Sequence, residues 1–197
     1  TTLFRSGTIV TDEKGKGTLN NLPIGKFYIK ETKTGDSFVL DPKEQDFEIT
    51  YQGQEVAVDY VTKEIKNQRQ KVEIEVLKRS EATKEPLAGV SFGLYAGEDL
   101  LNAAGEIVVK KDELVAVGKT DEEGKLKYQD TIPHGKYYLK ELENLPGYLP
   151  FEEKIEIDAS YTDPKLEVIS IQKEVENQPT KVEITKTDIT GEKEVEG

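Results

Sequence analysis

Three side chains of this 197-residue chain have types and positions suited to making an amide bond with one another. In KVEIEVLK, residues 71 to 78, Val72, Ile74 and Val76 share one face of a strand pattern, and Lys78 falls on that same apolar face. In GKYYLKELENLPGY, residues 135 to 148, Tyr137, Leu139 and Glu141 share a face. In VISIQKEVEN, residues 168 to 177, Ile169, Ile171, Val175 and Asn177 do the same, with Lys173 on their parity as a bulge or a snorkelling lysine. Two readings stand. Either the three residues are strand ends whose alternation has lapsed into solvent, or they meet in an apolar pocket. In the second case desolvation lowers the lysine pKa and raises that of the glutamate, so a neutral amine and a neutral acid coexist. The amine attacks the asparagine side-chain carbonyl while Glu141 polarises that carbonyl and carries protons as ammonia leaves. The product is a Lys-to-Asn amide, made once per molecule.

The same residues recur along the chain. GKFYIKETKTGDSF at 25 to 38 puts Phe27, Ile29 and Glu31 on one face, and its glutamate lies 110 residues before Glu141. NQRQKVEI at 67 to 74 returns as NQPTKVEI at 177 to 184, again 110 residues on, and 36 residues separate Glu31 from Asn67 as they do Glu141 from Asn177. Val182, Ile184 and Lys186 repeat the lysine strand a third time. A fixed period of this kind marks repeated modules. Residues 1–69 are read as the C-terminal part of a first module, 70–179 as a complete module and 180–197 as the first strand of a third.

The complete module reads as strands near 72–78, 90–96, 114–119, 124–128, 135–142, 152–157 and 166–176, separated by Gly, Pro, Asp and Asn clusters. Residues 98 to 113 form a longer connection, read as a helical turn or an extra hairpin. Seven short strands in about 110 residues predict an all-β sandwich. Sixteen Gly, eight Pro, and no Met or Trp fit that class better than a helical bundle. With 27 basic against 39 acidic residues, a net charge of −12 disfavours nucleic acid and anionic membrane surfaces. The absence of Cys removes disulfides, thiol catalysis and thiolate zinc sites. No apolar run reaches membrane-spanning length. His134, the one histidine, sits in a turn, and Asp121, Glu122 and Glu123 read as a solvated turn lacking the alternation of a calcium loop. No metal site, cofactor motif or turnover chemistry is read from these patterns.

The motif order is a strand with Lys78, the turn TKEPLAGVSFGLY at 83 to 95, GKYYLKELENLPGY, and VEN ahead of a new KVEI. It resembles the CnaB-type (SpaA-like) immunoglobulin-like domains that form tandem stalks in surface adhesins and pilins of Gram-positive bacteria. That resemblance implies tandem β-sandwich modules, a spontaneous isopeptide bond between Lys78 and Asn177, and Glu141 as its catalytic acid. Glu31 and Asn67 would be the matching pair of the first module, and Lys186 the lysine of the third. It implies a structural stalk on an extracellular, cell-wall-anchored surface, with neighbouring modules of the same protein as partners. The family usually places an acid two residues after the lysine, as in Lys186, Thr187, Asp188; the complete module has Ser80 there. KVEIEVLK is two residues longer than KVEITK, and the other lysine it offers, Lys71, lies on the opposite parity. An alternative reading is a ligand-binding adhesin module that presents its surface to a host protein or glycan. Residues 180–197 carry the strand that 1–69 lacks, which reads either as a slice through a longer array of modules or as head-to-tail strand pairing between chains.

Overall fold

The structure is a computed structural model that describes residues 7–53, 60–102, 105–129, 132–187 and 190–191. The chain divides into two compact units, one of residues 1–34 and 40–67, the other of 35–39 and 68–197. In the first, β1 (Gly25–Ile29) and β2 (Gln45–Ile49) pair antiparallel, with Phe27 opposite Phe47. Their rings stack at 5.4 Å, the cross-strand aromatic contact that favours such a pair.

The second unit contains β3 (Lys71–Ser80), β4 (Ser91–Ala96), β5 (Leu100–Leu101), β6 (Ile107–Val109), β7 (Leu114–Lys119), β8 (Lys125–Tyr128), β9 (Gly135–Glu143), β10 (Ile155–Ala159) and β11 (Val168–Asn177). Among the described residues there is no helix. One sheet has the order β10-β9-β4-β7 and is antiparallel throughout. The other has the order β11-β3-β8, with β8 antiparallel to β3 but β11 parallel to it. A parallel neighbour needs a long crossover, and here the crossover is the rest of the unit. The connection at 98–113 folds as a small hairpin, β5 with β6.

Alternation decides what each strand buries. Val72, Ile74 and Val76 of β3 face Phe92, Leu94 and Ala96 of β4 and Tyr137 and Leu139 of β9 in one apolar core. This is the β-sandwich expected for seven short strands. β11 runs beside β3 without a register shift, so Lys173 sits half-buried on a regular ladder and no bulge is needed to explain it. A bulge does occur between β4 and β9. Ser91 pairs with Glu143 and Phe92 with Glu141, so Leu142 is the extra residue, and Glu141 stays on the face of Tyr137 and Leu139.

The turn between β7 and β8 is fixed by Asp121, whose Oδ1 accepts the N–H groups of Glu123 at 3.0 Å and Lys125 at 2.8 Å. Asp12 does the same for Lys14 and Lys16, both at 2.9 Å. Gly124 has a φ of 70° there, and a Cβ on it would meet the Lys78 carbonyl oxygen at 2.4 Å. The absence of a side chain lets the turn close on β3, where the Lys78 N–H donates to the Gly124 oxygen at 2.7 Å.

Candidate functional site

Lys78 lies near the end of β3 with its backbone held on both sides, its N–H by Gly124 and its carbonyl by the Leu87 N–H at 2.9 Å. Because it lies three two-residue steps beyond Val72, its side chain follows Val72, Ile74 and Val76 into the core and is fully buried. Its Nζ sits 5.6 Å from the ring centres of both Phe92 and Phe151. This desolvation holds the Lys78 amine below the usual lysine range, an effect that the neighbouring Glu141 partly offsets.

Asn177 ends β11, and its side chain is 1% exposed. Its carbonyl accepts the Glu81 N–H at 2.9 Å, which ties the end of β11 to the turn after β3. Glu141, on β9, has a side chain only 2% exposed. The three side chains meet. Lys78 Nζ donates to Asn177 Oδ1 in a very short contact. Glu141 Oε2 lies 3.1 Å from Lys78 Nζ and has no other partner among the described residues. Asn177 Nδ2 donates to Glu141 Oε1 at 3.0 Å and to Asn144 Oδ1 at 2.7 Å.

One detail departs from the sequence reading. Glu141 reaches the nitrogen of the Asn177 amide and not its carbonyl. The reason is the inventory of donors and acceptors: Glu141 and Asn144 both offer oxygens, so the NH₂ group turns to them and Oδ1 turns to the lysine amine. Chemically, the carboxylate stands between the lysine amine and the amide nitrogen, within hydrogen-bond distance of both, where a carboxylate can pass a proton from one to the other.

Asn144 was not anticipated from sequence, since Asn before LPGY reads as a turn residue. Its position relative to the acid was the available signal. Thr34 lies three residues after Glu31 as Asn144 does after Glu141, and Asn67 Nδ2 donates to Thr34 Oγ1 at 3.1 Å. In the first unit Asn67 also donates to Glu31, at 2.8 and 2.6 Å to its two oxygens, and Glu31 accepts the Asp41 N–H at 2.8 Å. The pair Glu31 and Asn67 is thus assembled as Glu141 and Asn177 are, but only partly buried.

Lys186 is exposed, in a stretch at 181–186 without regular secondary structure, with Val182 and Ile184 exposed beside it; Asp188 lies outside the described residues. Ser80, which stands where an acid was expected, is buried and caps the turn after β3, its Oγ facing the Thr83 N–H at 3.4 Å. Lys71, the other candidate amine, is exposed at the far end of β3. His134 packs edge-on to the Tyr161 ring at 6.0 Å, away from the three residues.

A family model for SpaA, a prealbumin-like fold domain, matches residues 1–64 and 72–177. Among solved structures, the Bacillus anthracis TIE protein is similar at 28% identity with a TM-score of 0.64, over 87% of this chain and 28% of that one. The T6 backbone pilin of serotype M6 Streptococcus pyogenes is 27% identical with a TM-score of 0.36, over 46% of this chain and 16% of that one. A minor pilin of Streptococcus agalactiae is 22% identical with a TM-score of 0.43, over 90% and 69%. The chain spans less than a third of the length of the first two of these structures. No curated protein matches it.

Proposed function

The chain belongs to the SpaA prealbumin-like family, and on that premise we propose that it is a structural stalk segment of a Gram-positive surface adhesin or pilin, stabilised by an isopeptide bond between Lys78 and Asn177. The modules are taken as 1–69, 70–179 and 180–197, each partnered by its neighbours, on an extracellular surface anchored to the cell wall. The observation that carries this reading is the buried contact of Lys78, Glu141 and Asn177. A charged lysine and a carboxylate are costly to bury for stability alone, so their presence in a β core calls for a chemical reason.

The steps follow from the geometry. Glu141 takes a proton from Lys78 across 3.1 Å. The neutral amine attacks Asn177 Cγ, and the Nζ–Cγ bond forms. Glu141 gives that proton to Nδ2 and takes another from the added nitrogen, the Cγ–Nδ2 bond breaks as the carbonyl re-forms, and ammonia departs, leaving the new amide beside a protonated Glu141. No oxidant, metal or cofactor takes part. The test is the intact mass of the denatured chain. Loss of one ammonia, abolished in Glu141→Ala, is expected; an unmodified mass for the native protein overturns the reading.

A second linkage is favoured by the exposure of Val182 (88%) and Ile184 (85%), whose counterparts Val72 and Ile74 are buried in β3. We propose that residues 181–187 of one chain pair with the first unit of another, bringing Lys186 to Glu31 and Asn67 by strand addition. Covalent oligomers on a denaturing gel, lost in Lys186→Arg, are expected. Monomer alone at high concentration sinks this part and leaves the first intact.

A further inference from the structure

We propose that Asn144 is a positioning residue for the Lys78–Asn177 linkage: its side-chain oxygen aligns the Asn177 amide so that nitrogen faces Glu141 and the carbonyl faces the lysine. The inference rests on the isopeptide reading above and goes beyond the Lys, Glu and Asn that the reading needs.

The Asn177 amide has two N–H bonds and both are taken, one by Glu141 Oε1 at 3.0 Å and one by Asn144 Oδ1 at 2.7 Å. Glu141 alone leaves the second N–H of this buried group without an acceptor, and an unsatisfied buried donor is costly. A flipped Asn177 amide would set Oδ1 against two other oxygens, so Asn144 doubles the penalty for the unreactive orientation. Asn144 cannot itself turn over to relieve this, because its Nδ2 donates to the Tyr148 carbonyl at 2.7 Å. The turn that carries it is pinned to the chain just past Asn177. Leu149 N–H donates to the Gln178 oxygen at 2.8 Å and Thr180 N–H to the Gly147 oxygen at 2.8 Å. Asn144 and Asn177 are thereby held on one rigid corner.

The first unit supplies an internal comparison. Thr34 stands at the matching place and accepts from Asn67 Nδ2 at 3.1 Å. Threonine and asparagine differ in shape and share only a short side-chain oxygen, so the position supplies an acceptor and not a volume. During the reaction the acceptor keeps one N–H of the departing nitrogen while its lone pair turns to the Glu141 proton. Ammonia leaves with its two original hydrogens and that one.

The experiment follows ammonia loss by intact mass as chain that has never folded, assembled by chemical synthesis and kept in denaturant at its full unlinked mass, is allowed to fold. Asn144→Thr keeps an acceptor, whereas Asn144→Val has nearly the same shape without one. Linking in Asn144→Val is expected to be slower than in Asn144→Thr by about tenfold or more, the order of cost for a misplaced reacting group. Folding, followed in parallel by circular dichroism with each change placed in the Glu141→Ala background, is expected to be alike for the two. Equal linking rates for the Thr and Val variants overturn the inference while leaving the isopeptide reading in place. A wild-type chain that folds and never loses ammonia overturns both.

Discussion

Replacing Lys78 by Met together with Glu141 by Gln removes the proposed bond without leaving a buried charge. Either change alone is ambiguous. Glu141→Gln strands a buried ammonium, and breaking a buried pair in that way costs about 3–5 kcal/mol by itself. In the double variant the Met side chain enters a pocket already lined by Phe92 and Phe151, and Gln retains an oxygen for Asn177 Nδ2. What remains is the loss of the cross-link. Lys78 and Asn177 are 99 residues apart in sequence. Closing a loop of about 100 residues restricts the unfolded chain by an amount worth about 4.7 kcal/mol in the chain-entropy treatment used for disulfides. At about 4 °C per kcal/mol for a domain of this size, the midpoint should fall by roughly 20 °C. Thermal and urea melts of the second unit measure it. The urea slope should steepen as well, because an unlinked chain exposes more surface when it unfolds. A denaturing gel should show the variant migrating more slowly than the linked wild type. The reasoning fails if the wild type has lost its ammonia and the double variant nonetheless melts within a few degrees of it.

Two further outcomes bear on the same site. The ion pair of Lys78 and Glu141 and the amine-plus-acid pair that reacts hold the same single proton, so the linking rate should fall at alkaline pH once that shared proton is lost. Burial holds Lys78 below its ordinary 10.5, which puts the alkaline fall below that value; a rate still climbing past it in a stopped-time mass assay would exclude proton sharing. Gly124→Ala should cost at least about 1 kcal/mol in a urea melt and slow linking, since φ is positive and the new Cβ lies 2.4 Å from the Lys78 oxygen. Wild-type stability and linking in that variant would show that the turn does not set the position of β3.

Alternation carried much of this structure. It put Lys78 behind Val76, Glu141 behind Leu139 and Asn177 behind Val175 on inward faces, and β4 and β9 keep their register from Ala96 and Tyr137 as far as Phe92 and Glu141, so the acid stays on the core face. A period-two pattern says which face a residue occupies. It does not say which way an amide is turned. The orientation of Asn177 depends on Asn144, a residue whose type signals a turn, so the nitrogen-side placement of Glu141 was out of reach. Strand ends were also less legible. β11 begins at Val168 because Asp163 and Leu166 close a turn ahead of it, with the Leu166 N–H donating to the Asp163 oxygen at 3.2 Å. Alternation in the preceding residues could not reveal where that turn would stop.

The parallel pairing of β3 with β11 has a mechanical consequence. Lys71 lies opposite Val168 at one end of the ladder and Ser80 opposite Asn177 at the other, so the chain joins the module at one end and leaves it at the opposite end. Ten paired residues at about 3.3 Å each separate these points by roughly 30 Å. Tension applied through the flanking chain pulls the two strands past each other lengthwise and loads all the ladder hydrogen bonds together instead of peeling them in turn. With Lys78 joined to Asn177, that tension runs up β3 and crosses directly to the far end. The residues between, including the whole four-stranded sheet, then carry none of it.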